Sequence, residues 1–216
     1  RALEMLMEDG RIHPARIEDC VERSKRDLAL DIKKAGEDAL YEVGVTGFDP
    51  KLVSILGRLK YRTSYGQSVL RHSVEVAFLA AMLAEHLGAD VSVARKGGLL
   101  HDIGKSVDHE VQGTHPEIGR DIAKKFGLSD AIIAPILHHH DDYPPTLEAV
   151  IVKAADAISG SRPGARKDTY ENYIQRLEDL ENVALTFSGI DKVYAIQAGR
   201  EVRVFVRPDQ IDDYAA

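Results

Sequence analysis

The sequence predicts a mainly α-helical fold that ends in a small antiparallel β-hairpin. From Lys51 to Asp156, apolar residues recur at helical spacing between capping and breaking residues. Strand-like alternation appears only in residues 192–197 and 201–206, and the intervening Ala198-Gly199-Arg200 is typical of a hairpin turn. With 216 residues, 44% of them hydrophobic, the chain is long enough for one large globular domain or one domain with an appendage.

The N-terminal segment, residues 1–46, contains two predicted helices. The first ends at Gly10, and the second begins at Pro14 and continues to about Val43. The apolar stripe of the second helix is narrow, so it is either a solvated arm or dimer seam, or an edge helix packed on one side. The single cysteine, Cys20, is expected at a small apolar position, excludes an internal disulfide and fits a reducing, cytosolic setting.

The central segment is predicted as successive helices. Val69–Leu87 is apolar around most of its circumference, as expected for a central buried helix. A helix over 91–103 is expected to stop at Gly104 in a left-handed conformation, and the Gly97–Gly98 pair to permit close helix packing. Capping or turn residues mark the starts of three further helices: His115–Pro116, Ser129–Asp130 and Thr146.

The C-terminal segment begins with a polar helix predicted over about 168–182. Val183–Phe187 is a candidate third strand before the hairpin. Nowhere does an apolar run reach the ~20 residues that a membrane helix needs.

The doublet His101-Asp102 is the most informative motif. His72 precedes it, Asp156 follows it, and all three sites lie among apolar residues. Because an unpaired charge in such surroundings is costly, the simplest explanation is a shared divalent cation. Open coordination positions on that cation suit hydrolysis of a phosphate ester. The alternative is that each histidine is an ordinary core or surface residue.

This order of residues resembles the HD superfamily of metal-dependent phosphohydrolases, which is named after the doublet. The match covers about residues 65–160 and implies an HD-domain helical bundle. Bimetallic members of the superfamily suggest a second-metal or phosphate-binding role for His115, His138 and His139, with His109 and His140 at the rim. Asp102 and Lys105 are the candidate catalytic residues, and the alternative for Lys105 is a lysine favoured at a helix C-terminus.

Basic residues cluster near the candidate ligands, although the net charge of −7 makes the whole chain repel polyanions. The first cluster also contains Tyr61 and Tyr65, which could stack on unpaired bases. Arginine forks match phosphate oxygens, so the clusters predict a local anion-binding rim, with solvated loop residues as the alternative. The basic residues are Arg58, Lys60, Arg62, Arg162, Arg166 and Lys167.

A second and closer resemblance is to the ribonuclease Y family of bacterial endoribonucleases. It extends over nearly the whole chain, through residues 9–18, 47–50, 56–67, 154–159, 161–166 and 194–201. It implies cleavage of single-stranded RNA in mRNA turnover by a homodimer with one or two divalent ions, of Mn, Zn, Mg, Fe, Co or Ni. Other RNA-decay proteins are possible partners.

The resemblance also implies a division into three segments. Residues 1–46 would be the end of a KH-like domain and a connecting helix, 47–168 the HD domain, and 169–216 a helix with a hairpin. The family carries a membrane helix before these parts and a further helix and strand after them. We therefore expect a cytoplasmic fragment without membrane contact, from a protein anchored at the inner face of the membrane.

Two other functions remain open at this stage. One is an HD phosphohydrolase or phosphodiesterase acting on nucleotides or cyclic dinucleotides, which needs a closed pocket where an RNase needs an open groove. The other is a dimerisation or scaffold module with a structural metal, which the long first helix and the hairpin favour.

Overall fold

The computed structural model describes residues 1–10, 13–64, 66–108, 111–161, 170–196 and 201–207. The chain divides into two compact units, an N-terminal unit of residues 1–166 and a C-terminal unit of residues 167–216. The described part of the N-terminal unit is helical apart from the two-residue strands β1 (Thr63–Ser64) and β2 (Gln67–Ser68). The predicted mainly α-helical fold is confirmed. Its helices are α1 (Ala2–Asp9), α2 (Pro14–Val43), α3 (Pro50–Arg58), α4 (Val69–Leu87), α5 (Val91–Leu100), α6 (His115–Lys125), α7 (Asp130–His138) and α8 (Leu147–Ser161), with short 3₁₀ helices at Leu59–Tyr61 and Ile103–Ser106.

The second half of α2 packs closely on α3. A Cβ at Gly36 would lie 2.1 Å from the carbonyl oxygen of Val53, and one at Gly57 would lie 1.9 Å from that of Ile32. Only glycines allow two helix backbones to approach this far. In the structure this half of α2 is therefore an edge helix packed on one side, whereas most of its first half is exposed around the buried Cys20.

The helix α4 lies at the centre of the N-terminal unit, as predicted. It packs against α5 and α8, and more than half of its residues are buried. Small residues let the neighbouring helices come close. A Cβ at Gly98 would lie 3.0 Å from Cα of Ala77 in α4, and one at Gly97 would lie 2.5 Å from Cγ of Pro135 in α7. The predicted packing role of this glycine pair is confirmed.

The prediction for Gly104 is wrong. The α5 helix ends at Leu100, and Gly104 lies within the 3₁₀ helix Ile103–Ser106 rather than in a left-handed cap. A Cβ there would lie 2.0 Å from the carbonyl oxygen of His115. The glycine is needed for a close approach between two segments, which a sequence pattern alone does not distinguish from a helix stop.

The described part of the C-terminal unit consists of the helix α9 (Tyr170–Leu185) and the antiparallel pair β3 (Ile190–Ile196) and β4 (Glu201–Val206). The predicted hairpin strands are confirmed over residues 192–196 and 201–206, whereas Gln197 and the predicted turn Ala198-Gly199-Arg200 lie outside the described residues. The candidate strand Val183–Phe187 is wrong, because α9 continues to Leu185 and a turn follows, with the Thr186 amide donating to the carbonyl of Val183. Extending an existing helix adds one hydrogen bond per residue, whereas a strand would need a partner to pair with.

Among the described residues, no helix combines the length and hydropathy that crossing a bilayer requires. The basic residues Arg162, Arg166 and Lys167, together with Tyr65 and His109, lie outside the described residues. The division into segments 1–46, 47–168 and 169–216 stays a prediction.

Candidate metal centre

Four predicted ligands come together where α4, α5 and α8 pack. His72 lies in the first turn of α4 and Asp156 lies in α8, while His101 and Asp102 follow directly after α5. The Nε2 atom of His72 is 3.0 Å from Oδ1 of Asp156 and 4.0 Å from Oδ2 of Asp102. The Nε2 atom of His101 is 3.5 Å from Oδ2 of Asp102 and 3.9 Å from Oδ1 of Asp156. We call these four residues the first group.

Three further histidines form a second group beside the first. Ligand nitrogens of His115, His139 and His140 all lie within 4.8 Å of one another. The rings of His139 and His101 are 5.1 Å apart, centroid to centroid. Nε2 of His115 lies 3.4 Å from Oδ1 of Asp102. Asp102 therefore faces the two histidines of the first group through Oδ2 and His115 of the second group through Oδ1.

The structure separates the two members of the His138–His139 doublet. Nδ1 of His138 lies 2.6 Å from Oδ2 of Asp141, and His138 is not part of the second group. His140, expected at the rim, is exposed, yet its ring centroid is 4.1 Å from that of His139. Because α7 ends at His138, helical spacing could not show which of these histidines share a face. The only sequence feature that pointed to His140 as a candidate ligand was its position next to His138 and His139.

Four buried ligand atoms have no hydrogen-bond partner within the described part of the chain. They are Nε2 of His101, Oδ1 of Asp102, Nε2 of His115 and Nε2 of His139. Buried polar atoms left unpaired are costly and rare in folded proteins. Two imidazole-rich groups that share a carboxylate are a donor set suited to divalent transition-metal ions. The residues therefore fit one or two such cations.

Backbone carbonyls orient two of the histidines. Nδ1 of His101 lies 2.7 Å from the carbonyl oxygen of Gly98, and Nδ1 of His139 lies 2.9 Å from that of Ile136. A carbonyl oxygen only accepts, so in both rings Nδ1 carries the proton. The Nε2 lone pair of each ring is then directed at the candidate centre, as in ligating histidines.

The histidines of the second group are held in the neutral form. Burial is the main cause: it lowers the pKa of His115 to about 4 and that of His139 to about 3, and it also lowers the pKa of His140. For His139, the neighbouring His101 acts in the same direction. Neutral imidazole is the form that ligates a metal, so this group is ready to bind at pH 7.

The carboxylates are held in the ionised form. Burial raises the pKa of Asp102, but His101 and Lys105 outweigh it and hold this pKa well below its usual range. Burial likewise raises the pKa of Asp156. The hydrogen bond with His72 and the charge of His101 outweigh burial, so the net effect is a lowered pKa. Burial lowers the pKa of His101, yet its two carboxylate neighbours produce a net increase. Both acidic side chains can thus act as ligands at neutral pH.

Lys105 is bound to the shared carboxylate. Its Nζ lies 2.7 Å from Oδ2 of Asp102, and 24% of its side chain is exposed. The lysine side chain thus contacts a candidate ligand and is also partly exposed to solvent. A positive charge in this position can stabilise negative charge that develops on a phosphoryl group.

The predicted basic rim is only partly present in the described residues. Lys60 lies 2.9 Å from Asp31 of α2, and Arg62 pairs with Asp108, which follows the 3₁₀ helix carrying Lys105. Arg58 is exposed. Acidic partners therefore already neutralise part of the charge that the sequence suggested for an anionic ligand.

Two grooves lie on the surface of the N-terminal unit, and one of them borders the centre. One has a volume of about 480 Å³ and is lined by residues that include His115, His138 and His140. The other, of about 490 Å³, follows the outer side of α8 and is lined by Tyr143, Val150, Lys153, Ala154 and Ala157 among others. The first groove gives a substrate direct access to the second group.

Comparison with known proteins agrees with this geometry. Residues 69–161, which include every member of both groups, match the HD domain family. Ribonuclease Y of Syntrophomonas wolfei is 60% identical over 98% of this chain and 41% of its own length. Ribonuclease Y of Thermoanaerobacter pseudethanolicus is 59% identical over 98% of this chain and 42% of its own length.

A third relative shows the same partial coverage. Ribonuclease Y of Clostridium perfringens is 58% identical over 100% of this chain and 42% of its own length. The chain thus spans about two fifths of the length of these curated relatives. No solved structure was found to match it. Nearly the whole chain is therefore similar to ribonuclease Y, and residues 69–161 match the HD domain family.

Proposed function

We propose that this site holds one or two divalent cations and hydrolyses phosphodiester bonds within single-stranded RNA, in bacterial mRNA turnover. The observation that carries the proposal is the convergence of four buried ligand atoms that have no hydrogen-bond partner in the described part of the chain, from His101, Asp102, His115 and His139. The relatives named above are ribonucleases, which supports RNA as the substrate.

In this proposal, the first group holds one cation and the second group supports another or binds the substrate phosphate. Asp102 contributes to both, because its two oxygens face different groups. A bound divalent cation polarises phosphoryl oxygens and lowers the pKa of a coordinated water. Lys105, and His115 where it is not a ligand, balance the negative charge on the phosphoryl oxygens.

The donor set favours a transition metal over Mg²⁺. Each group presents imidazole nitrogens, whereas Mg²⁺ prefers oxygen ligands and retains much of its water. The lowered pKa values of His115 and His139 keep those nitrogens available below pH 7. We propose Mn²⁺, Zn²⁺, Fe²⁺, Co²⁺ or Ni²⁺ as resident ions, with Mg²⁺ binding most weakly.

The test combines metal analysis with a choice of substrates. Protein stripped with a chelator is reloaded with each ion, its metal content is measured, and it is incubated with labelled single-stranded RNA, nucleotides and cyclic dinucleotides. We expect internal cleavage of RNA. Hydrolysis of the small molecules alone would establish the alternative HD phosphohydrolase function.

The variant Asp102→Ala tests the centre itself. Removal of the shared carboxylate should abolish cleavage and lower the metal content, while Asp121→Ala, at an exposed position of α6, should change neither. Structural zinc sites close with four protein ligands. A metal-loaded protein that cleaves nothing, and whose assembly depends on Asp102, would favour the scaffold function.

Three further proposals concern the whole protein: assembly as a homodimer, attachment to the membrane, and association with other RNA-decay proteins. They follow from the family alone. Sedimentation of the purified chain over a range of concentrations tests the first.

A further inference from the structure

His72 is oriented differently from the other buried histidines. His101 and His139 stand at the C-terminal ends of α5 and α7, where helix carbonyls have no partner within the helix and can accept from Nδ1. His72 lies in the first turn of α4, where the free backbone groups are N–H donors. The free backbone groups of this turn therefore offer no carbonyl acceptor to its Nδ1.

Two side chains take the place of that carbonyl. Nδ1 of His72 lies 2.9 Å from Oγ of Ser159, and Oγ of Ser159 lies 2.9 Å from Oε2 of Glu75. Ser159 is 1% exposed. Each partner lies one helical turn after a candidate ligand: Glu75 follows His72 in α4, and Ser159 follows Asp156 in α8.

The chemistry of these groups sets the direction of both hydrogen bonds. A carboxylate only accepts, so the single hydroxyl proton of Ser159 is donated to Glu75. Towards His72 the hydroxyl oxygen can then only accept, which requires the proton on Nδ1. Nε2 is therefore the ring nitrogen of His72 that is left to bind the candidate cation, beside Oδ1 of Asp156.

We propose that Ser159 and Glu75 are positioning residues that fix the tautomer and ring orientation of His72 for metal binding. The inference rests on the proposed function, because it assigns the support of one ligand of that site. Groups behind a ligating histidine typically contribute 10- to 100-fold to metal affinity. Sequence spacing offered one signal, an i,i+3 partner after each ligand, but it does not show which side chains meet.

The experiment measures Zn²⁺ affinity by competition with a chelating dye, together with the NMR signal of the His72 Nδ1–H proton in the Zn²⁺-loaded protein. We expect Ser159→Ala and Glu75→Ala to weaken Zn²⁺ binding about 10- to 100-fold and to broaden or remove that signal. Glu75→Gln keeps an oxygen acceptor for Ser159, so it should bind Zn²⁺ almost as tightly as the wild type.

Matched controls use the same substitutions nearby. Ser161→Ala removes a hydroxyl that donates to the carbonyl of Ile158 in the same helix, and Glu85→Ala removes an exposed carboxylate from α4. Both should leave Zn²⁺ affinity unchanged. Urea unfolding of each variant separates a loss of fold from a loss of metal.

The outcomes distinguish this inference from the proposed function. If folded Ser159→Ala binds Zn²⁺ as tightly as the wild type and keeps the Nδ1–H signal, the positioning role is overturned while the metal site stands. An equal loss in Glu75→Gln and Glu75→Ala would show that the charge of Glu75, not its acceptor oxygen, matters, and would also overturn it. A wild-type protein that binds no divalent ion overturns the proposed function itself.

Discussion

At the residue scale, Asp102 concentrates more of the chemistry than any other described side chain. It is 2% exposed, and its oxygens reach His101 and Lys105 on one side and His115 on the other. A buried carboxylate tolerates this burial only when it is paired. In the absence of a cation the pairing comes from Lys105 and His101, whose charges lower its pKa against the effect of burial.

A substitution at Lys105 therefore tests catalysis separately from metal binding. We predict that Lys105→Gln lowers kcat about 10²-fold, as loss of a group that stabilises developing charge does, while the bound metal stays at the wild-type level. Steady-state cleavage of labelled RNA gives kcat, and elemental analysis gives the amount of bound metal. Lys124→Gln, at an exposed position of α6, is the control. Unchanged kcat in Lys105→Gln would reduce this lysine to a structural partner of Asp102.

The sequence could predict the candidate ligands that belong to a recognisable motif. It could not predict the ligand whose direction depends on how the chain turns after a helix end. The His101-Asp102 doublet, His72 and Asp156 are identified by residue type among apolar neighbours, and the structure brings them together. His140 lies beyond the end of α7, where the direction of each side chain depends on how the chain turns. The short-range pattern contains no information about that turn.

At the element scale, glycines decide how close the ligand-bearing segments come. Gly104 lets the 3₁₀ helix after the doublet contact the start of α6, where a Cβ would lie 2.0 Å from the carbonyl oxygen of His115. The starts of α5 and α6 were predictable, because N-terminal caps such as Asp90 and Thr114 act locally. Contacts between segments distant in sequence were not, which is why Gly104 was predicted as a helix stop.

We predict that Gly104→Ala destabilises the protein by about 1–3 kcal/mol, the usual range for overpacking. Because the atom in the way belongs to the backbone, α6 must move, and His115 moves with it. Gly119→Ala is the comparison, since its Cβ would meet the side chain of Ile136 at 2.9 Å instead. We expect it to cost less and to leave metal binding closer to the wild type.

Urea unfolding gives the free energies, and titration with Zn²⁺ gives the stoichiometry. Gly104→Ala should lose binding at the second group first, which contains His115. Equal effects of the two substitutions on both measurements would contradict the assignment of Gly104 to this close approach.

At the scale of the whole molecule, the candidate centre works against the stability of the metal-free fold. The buried cluster places four ligand atoms that lack a hydrogen-bond partner among the described residues where α4, α5, α6, α7 and α8 meet. A cation that binds only the folded state offsets this cost by mass action. Folding and metal binding are therefore coupled, and the coupling depends on pH because protons compete for the same nitrogens.

The metal-free protein should be most stable near pH 6.5, the pKa of histidine in an unfolded chain. The pKa of folded His115 is about 4 and that of His139 about 3, so between pH 6.5 and these values the unfolded chain takes up protons that the folded chain does not. Stability then falls as the pH falls, with a slope approaching about 1.4 kcal/mol per pH unit for each group. The pKa of His101 is raised in the folded state, so its stabilisation is fully present below pH 6.5 and is lost as the pH rises above 6.5 through the folded pKa.

Urea unfolding of chelator-treated protein from pH 5 to pH 8 measures the free energy of unfolding, and the prediction concerns the slope of this free energy against pH. His139→Asn should flatten the acidic limb without removing the alkaline one. Saturating Zn²⁺ should raise the free energy of unfolding most at the higher pH values, because fewer protons then compete for the imidazoles. A free energy that rises steadily from pH 6.5 down to pH 5 would contradict the neutral, buried state assigned to His115 and His139.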